Sequence, residues 1–161
     1  MDIVVKIIEE LRSRGLTVST AESCTGGLAA SAFVDIAGAS DVYMGGFVTY
    51  SNELKETCLG VSHNTLKLFG AVSEQTAKEM AAGCALRAGT DVSIATTGIA
   101  GPGGGSKDKP VGLVYISCAL SGRVEVRELR LDGDRTQIRR AAVKEALRLL
   151  EAMLSESQAM S

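Results

Sequence analysis

A turn that contains a hydroxyl nucleophile and two glycines is the part of this sequence that most directly suggests chemistry. The residues run Ala21-Glu22-Ser23-Cys24-Thr25-Gly26-Gly27, between a short β-branched run and an alanine-rich, helix-like segment. A helix beginning here would direct its free N–H groups and the positive end of its dipole towards bound negative charge. The two glycines would let that charge approach the backbone closely. The turn therefore predicts an anion-binding site with Ser23 as a candidate nucleophile.

A second glycine-rich turn follows another strand-like run. It includes Thr97 and Gly98 and continues through Gly105. Two such turns in one small domain predict a single composite site.

The hydrophobic pattern predicts the elements that position these turns. Apolar or β-branched runs predict strands over residues 16–21, 42–50, 91–97, 111–120 and 123–131. Helices are predicted over residues 2–14, 25–36, 51–58, from Ser62, from Ser73 to Ala88, and from Asp134 to about Met153. This order predicts one α/β domain over residues 1–161. It is expected to be a three-layer α/β/α sandwich around a mostly parallel sheet of about five strands, one of them antiparallel.

Composition and charge narrow the function classes. The chain has 161 residues, a formal net charge of −2 and no tryptophan, so it lacks the basic, aromatic surface typical of nucleic-acid binding. The N-terminus lacks the pattern of a secretory signal, and no stretch approaches the roughly 20 apolar residues of a membrane span. The protein is therefore predicted to be cytoplasmic. Its four cysteines are far apart and it has one histidine, so neither a zinc site nor disulfides are expected.

Six segments in this order along the chain resemble the CinA C-terminal-domain family. They are Glu22–Gly27, Gly45–Asn52, Gly70–Ser73, Thr97–Pro102, Lys109–Gly112 and Gly133–Arg135. The resemblance covers almost the whole chain, and the family includes the PncC-type nicotinamide-mononucleotide deamidases. The long N-terminal domain of fused CinA proteins has no counterpart in this sequence. The resemblance is thus to the stand-alone deamidase form.

The resemblance implies hydrolysis of the carboxamide of nicotinamide mononucleotide to nicotinate mononucleotide and ammonia. Such a reaction needs a nucleophile, a group that takes and returns a proton, and donors for the developing oxyanion. Ser23 is the predicted nucleophile. Lys55 is the predicted proton acceptor, with Tyr50 orienting it or relaying the proton, because the single histidine, His63, lies in a polar helix start. A lysine in this role must have a lowered pKa.

The predicted substrate-binding residues lie in the same loops. They are Thr25, Gly26, Gly27, Asn52, Thr97, Gly98, Lys109 and Arg135. Backbone N–H groups of either glycine-rich turn are candidates to hold the oxyanion. Arg135 lies at the start of the last helix, where a cation is disfavoured, so a bound 5′-phosphate would resolve that conflict. Lys109, at the exit of the glycine-rich loop, is a second phosphate candidate.

Each of these assignments has a structural alternative. Ser23 could simply cap the second helix, Lys55 could be a solvated helix lysine, and Arg135 could pair with a neighbouring aspartate. Cys24 belongs to a class of stronger nucleophiles than serine, but a small cysteine is more often buried in the core.

Three function classes follow from the sequence. The first is an amidohydrolase that needs no cofactor or metal. The second is a nucleotide-binding module without turnover, and the third is an interaction domain associated with competence or DNA repair. The expected partner is a small-molecule nucleotide substrate rather than nucleic acid or membrane. The alanine-rich helices and the hairpin edge suggest a homo-oligomer.

Overall fold

Six α-helices, one short 3₁₀ helix (Ala39–Asp41) and five strands form the structure, a computed structural model that describes all 161 residues. The helices are α1 (Ile3–Arg14), α2 (Leu28–Val34), α3 (Asn52–Leu59), α4 (His63–Phe69), α5 (Glu74–Ala88) and α6 (Arg135–Ala159). The strands are β1 (Val18–Glu22), β2 (Tyr43–Val48), β3 (Val92–Gly98), β4 (Leu113–Leu120) and β5 (Arg123–Arg130). No helix has both the length and the apolar character required to cross a bilayer.

The five strands form one sheet in the order β2-β1-β3-β4-β5. Strand β1 pairs in parallel with both β2 and β3, whereas β4 is antiparallel to β3 and to β5. Four strands therefore run in one direction and β4 runs in the other. Helices α1, α2 and α6 cover one face, and α3, α4 and α5 cover the other. The prediction of a three-layer α/β/α sandwich with one antiparallel strand is confirmed.

The two faces of the sheet have different packing. Towards α6, the inner strands present larger apolar side chains such as Ile94 and Ile116, which are fully buried. Towards α5, the same strands present small residues, and two serines donate hydrogen bonds to helix carbonyls. Ser93 Oγ lies 2.6 Å from the Ala81 oxygen, and Ser117 Oγ lies 2.6 Å from the Ala77 oxygen. Because small side chains let α5 lie close to the sheet, the loop before α5 reaches the carboxyl edge of β3.

Some element boundaries differ from the sequence prediction. The second helix begins at Leu28 rather than near Thr25, because Gly26 and Gly27 have positive φ angles of 58° and 104° that an α-helix does not accommodate. Helix α6 continues to Ala159 rather than ending near Met153. Its last turns are held in place by Arg14, which donates to the Leu154 carbonyl at 3.0 Å. A local sequence pattern cannot predict such a contact between the two ends of the chain.

Candidate functional site

The candidate site lies where β1, β2 and β3 end side by side. The Ser23 N–H continues the ladder beyond β1 by donating to the Thr96 oxygen of β3 at 3.0 Å. The Thr49 N–H continues it on the other side by donating to the Glu22 oxygen at 2.8 Å. These two hydrogen bonds fix the turn that carries Ser23 between the ends of its neighbouring strands.

A buried lysine contacts the candidate nucleophile. Lys55 Nζ lies 3.0 Å from Ser23 Oγ, and it also donates to the backbone oxygens of Thr49 at 2.8 Å and Tyr50 at 3.2 Å. The lysine is only 1% exposed, so the alternative of a solvated helix lysine is wrong. Helix α3 directs it inward because Ser51 caps the helix start, accepting from the Leu54 N–H at 3.1 Å.

Burial lowers the pKa of the Lys55 ammonium from its ordinary value of 10.5 to about 8. Removal from water disfavours the charged form, and none of its three hydrogen-bond partners is a carboxylate. The Cys24 thiol acts in the opposite direction and is the smaller influence. The site thus has the environment that a lysine base requires near neutral pH.

Ser23 and Lys55 open into a pocket of about 170 Å³. Its walls are formed by Ser23, Cys24, Tyr50, Lys55, Ala71, Val72, Thr97, Gly98, Ala100 and Arg135. Tyr50, whose side chain is largely exposed, and Arg135 lie at the mouth, with Arg135 Nη2 3.4 Å from the Tyr50 hydroxyl. Arg135 Nη1 also donates to the Gly101 oxygen at 2.7 Å, and Arg135 forms no ion pair, so the alternative of an aspartate partner is wrong.

The N-terminus of α2 is not open to a ligand, so the expectation that the N–H groups of this helix bind an external anion is wrong. The buried Glu22 carboxylate accepts from the N–H groups of Ala29 at 2.8 Å and Ala30 at 3.0 Å. It also accepts from the Thr25 hydroxyl at 2.6 Å, and this hydroxyl contacts Thr96 Oγ1 at 2.7 Å. The chain's own carboxylate therefore occupies the position that the sequence pattern assigned to a bound anion.

Three backbone N–H groups beside Ser23 nevertheless have no hydrogen-bond partner within the protein. The N–H groups of Cys24 and Thr25 donate no hydrogen bond within the protein. At the end of β3, Ile99 bonds to Leu113 of the neighbouring antiparallel strand. Because such bonds alternate in direction, the Gly98 N–H points to the opposite side, where β1 has already ended. These groups are candidate donors to an oxyanion.

The structure brings together some of the predicted site residues and not others. Ser23, Tyr50, Lys55, Thr97, Gly98 and Arg135 line the same pocket. Thr25, Gly26, Gly27, Asn52 and Lys109 do not line it. Thr97 Oγ1 donates to the Ala71 oxygen at 2.8 Å, and Lys109 Nζ donates to the Phe69 oxygen at 2.5 Å. Both side chains thus hold the loop between α4 and α5 that forms one wall of the pocket.

The sequence analysis assigned no site role to Arg139, Ala71, Val72 and Ala100, although the last three lie in segments that carry the family resemblance. Arg139 contacts the turn that carries Ser23, and the three small or branched apolar residues form the pocket wall. The spacing of Arg139, one helical turn after Arg135, was the available signal for the first of these. The residue types of the three apolar residues do not indicate a pocket wall, because alanine and valine occur in every core.

The remaining candidate side chains are accounted for without a role in the pocket chemistry. Burial raises the pKa of the Cys24 thiol to about 11, so this cysteine is a poor thiolate nucleophile at neutral pH. His63 is exposed and pairs with Glu56, with Nδ1 and Oε1 2.8 Å apart. No group of three or more His, Cys, Asp or Glu side chains is arranged to hold a metal ion.

Comparison with known proteins identifies relatives of this chain. Residues 1–154 match the family model described as the CinA C-terminal domain. A CinA-like protein of Kosmotoga olearia is 55% identical over 141 residues, which are 88% of this chain and 34% of that protein. A putative competence-damage inducible protein of Clostridium acetobutylicum is 52% identical over 133 residues, 83% of this chain and 32% of that protein. The chain therefore spans about a third of the length of these curated relatives.

Solved structures resemble the whole fold. The competence/damage inducible protein CihA of Agrobacterium tumefaciens superposes with a TM-score of 0.91 at 52% identity, covering 95% of this chain and 93% of that one. A CinA superfamily protein of Klebsiella pneumoniae superposes with a TM-score of 0.92 at 36% identity, covering 96% of both chains. The names of these proteins refer to competence and damage and specify no reaction.

Proposed function

Because the chain belongs to the CinA C-terminal domain family, we propose that it is an amidohydrolase that converts nicotinamide mononucleotide to nicotinate mononucleotide and ammonia. The observation that carries the proposal is the 3.0 Å contact between Ser23 Oγ and the buried Lys55 Nζ. A serine with a desolvated lysine is an established alternative to the serine–histidine pair in hydrolases. The resemblance to the PncC-type deamidases is the basis for the proposed substrate, and the contact between Ser23 and Lys55 supports attack on an amide.

In the proposed reaction, neutral Lys55 takes the proton of Ser23 as Oγ attacks the amide carbon. The tetrahedral intermediate then loses ammonia when Lys55 returns this proton to the amide nitrogen, which leaves an ester on Ser23. In the second half of the reaction, a water molecule attacks the ester and gives its proton to Lys55. Lys55 then passes this proton to Ser23 Oγ as the ester bond breaks. With a pKa of about 8, about a tenth of the lysines are neutral at pH 7.

The free N–H groups of Cys24, Thr25 and Gly98 are proposed to stabilise the oxyanion of the tetrahedral intermediate. They lie on both sides of Ser23, at the ends of β1 and β3. Backbone donors held rigidly in a pocket with little water are the usual means of stabilising such a charge.

The charges of the pocket favour a nucleotide over a free cationic nucleoside. Two cations, Lys55 and Arg135, line the pocket and no carboxylate does. A pyridinium ring would be repelled here unless a phosphate on the same molecule compensated it, and Arg135 at the mouth is the group that would bind this phosphate. The 170 Å³ of the pocket would hold the ring and its carboxamide, with the ribose phosphate extending past Tyr50.

Substitution of Arg135 by alanine is expected to weaken binding of the phosphorylated substrate selectively. A charge-assisted hydrogen bond to phosphate contributes about 1.5–3 kcal/mol, so KM for nicotinamide mononucleotide should rise about 10- to 100-fold. KM for nicotinamide riboside, which lacks the phosphate, should change much less. Arg140→Ala, at an exposed position on the same helix, is the matched control. An equal effect on both substrates would count against a phosphate role.

The pH dependence of kcat/KM is expected to follow the ionisation of Lys55. Because the base must be neutral, activity should rise about tenfold per pH unit on the acid side and level off above a pH of about 8. The plateau begins near pH 8 because the pKa of Lys55 is lowered. A lysine with an ordinary pKa would place the plateau above pH 10. A pH–rate profile on nicotinamide mononucleotide measures this. A flat profile through neutral pH would contradict Lys55 as the base.

An ammonia assay tests the proposal directly. The purified protein is incubated with nicotinamide mononucleotide, nicotinamide riboside and nicotinamide, with and without a chelator. Release of ammonia from the mononucleotide above the other two amides is the expected result. A nucleotide-binding module without turnover would show saturable binding of the mononucleotide and no ammonia, and a competence or DNA-repair interaction domain would show neither.

A further inference from the structure

Arg139 forms hydrogen bonds to the turn that carries Ser23, although the proposed reaction assigns this arginine no role. Its Nε donates to the Cys24 oxygen at 2.9 Å, and its Nη2 donates to the Thr25 oxygen at 2.9 Å. The side chain is partly buried and forms no ion pair with a carboxylate. The positive charge is thus directed entirely at two consecutive peptide groups, immediately after the candidate nucleophile.

These two carbonyls belong to peptides whose N–H groups matter for the site. In a trans peptide the N–H points opposite to the C=O, so the Cys24 carbonyl and the Thr25 N–H are the two ends of one dipole. Because Arg139 holds the Cys24 oxygen, the Thr25 N–H points away from α6, and it has no partner in the protein. The next peptide is anchored at both ends, since its N–H, on Gly26, donates to the Ser23 oxygen at 3.2 Å.

The turn is shaped to accept the guanidinium. A side chain at Gly26 would place its Cβ 3.2 Å from Arg139 Nη2, closer than most such contacts. Gly26 also has a φ of 58°, which disfavours a larger residue. Glycine is therefore favoured at this position for two reasons. It allows the positive φ, and it leaves room for the Arg139 guanidinium against the peptide plane.

We propose that Arg139 is a positioning residue that orients and polarises the Thr25 N–H as a donor to the oxyanion formed at Ser23. A cation on the carbonyl end of a peptide strengthens the N–H at the other end as a donor, and the fixed geometry removes the cost of reorganisation. Arg139 does this without touching substrate. The inference rests on the proposed acyl transfer at Ser23 and adds the group that prepares its oxyanion site.

The test compares Arg139→Ala and Arg139→Lys with Arg140→Ala, because the Arg140 side chain is exposed and forms no ion pair. Loss of one oxyanion donor costs about 10²- to 10³-fold in kcat, so Arg139→Ala should lower kcat for nicotinamide mononucleotide by about 10²-fold with little change in KM. Guanidinium ion at concentrations far below denaturing should restore part of kcat in Arg139→Ala. The kcat of Arg139→Lys should fall between those of wild type and Arg139→Ala, and Arg140→Ala should behave as wild type.

A second readout separates this inference from the proposed substrate. The rate at which a fluorophosphonate probe labels Ser23 reports the same oxyanion site, and Ser23→Ala identifies labelling at that residue. If the wild-type protein is labelled but releases no ammonia, the substrate assignment fails while slower labelling of Arg139→Ala still supports the inference. Wild-type protein that shows neither reaction overturns both.

Three results would overturn the positioning role alone. The first is a loss of kcat that only matches the fraction of Arg139→Ala left unfolded, measured by thermal denaturation. The second is a KM increase like that expected for Arg135→Ala, which would make Arg139 a binding residue. The third is a guanidinium effect on the melting temperature without any recovery of turnover or labelling.

Discussion

Ser23→Ala is expected to lower kcat for nicotinamide mononucleotide by at least about 10³-fold, with a small change in KM. The substitution removes the oxygen that is proposed to form the ester intermediate, while the pocket and its N–H donors stay in place. Residual turnover would come from binding and oxyanion stabilisation alone. The measurement is ammonia release under saturating substrate, supported by mass spectrometry for the acyl adduct, which should be seen in wild type only.

The control for this variant is Ser62→Ala. Ser62 also precedes a helix, is exposed, and makes no capping hydrogen bond through its side chain, so its loss should leave turnover unchanged. Full turnover in Ser23→Ala would move the nucleophile elsewhere. Cys24 is a weak candidate for that position because burial raises the pKa of its thiol to about 11, so an activated water would then be the next hypothesis.

Lys55→Met is expected to lower kcat by about 10³- to 10⁴-fold and to stabilise the fold at the same time. Methionine fills the channel of the lysine side chain without a charge. The pKa of the Lys55 ammonium falls from 10.5 to about 8 on burial, which corresponds to a cost of about 3 kcal/mol for keeping the charge in the folded protein at pH 7. Loss of the hydrogen bonds to two backbone oxygens offsets part of the gain, so a net increase of about 1–2 kcal/mol in the free energy of unfolding is expected.

The pH dependence of stability provides an independent check of Lys55. Below a pH of about 8 the lysine is protonated in both the folded and the unfolded chain, and the folded state bears the full cost of the buried charge. Between a pH of about 8 and 10.5 the unfolded chain keeps the lysine proton and the folded chain does not, so the contribution of Lys55 to the free energy of unfolding rises with pH. The buried thiols of Cys24, Cys84 and Cys118, whose pKa values burial raises, act in the opposite direction in this range, but they are common to both proteins. Denaturant titrations should therefore show wild type gaining stability relative to Lys55→Met as the pH rises from about 8 to 10.5.

Lys67→Met is the matched control for these measurements. Lys67 lies on the neighbouring helix α4 and is exposed, so replacing it should change neither turnover nor the pH dependence of stability. Retained turnover in Lys55→Met would remove this lysine as the base and leave Tyr50 as the next candidate. A destabilised Lys55→Met variant would mean that its hydrogen bonds to the Thr49 and Tyr50 oxygens outweigh the cost of burying its charge.

Local sequence patterns were sufficient for the order and type of the elements. The capping box at the last helix forms as expected, with the Asp134 carboxylate accepting from the Gln137 N–H at 2.8 Å and the Gln137 side chain accepting from the Asp134 N–H at 2.8 Å. The hairpin strand β5 lies at the sheet edge and β4 lies inside it, as the alternation in residues 123–131 indicated. These features depend on residues within a few positions of each other, so a single sequence contains the information.

For the candidate site, the sequence was sufficient for some features and the structure was needed for others. The family resemblance implied hydrolysis of an amide, and the residue types then indicated Ser23 as nucleophile and Lys55 as base, because the only histidine lay in a polar helix start. The sequence could not reveal that Lys55 is buried, that Glu22 fills the N-terminus of α2, or that Arg139 holds the turn from 115 residues away. Burial and hydrogen-bond partners depend on which segments pack together. The sequence by itself therefore determined the elements and the residues proposed to react. Only tertiary packing decided the pKa of Lys55 and which backbone N–H groups remain free, because desolvation and hydrogen-bond competition arise between segments distant in the chain.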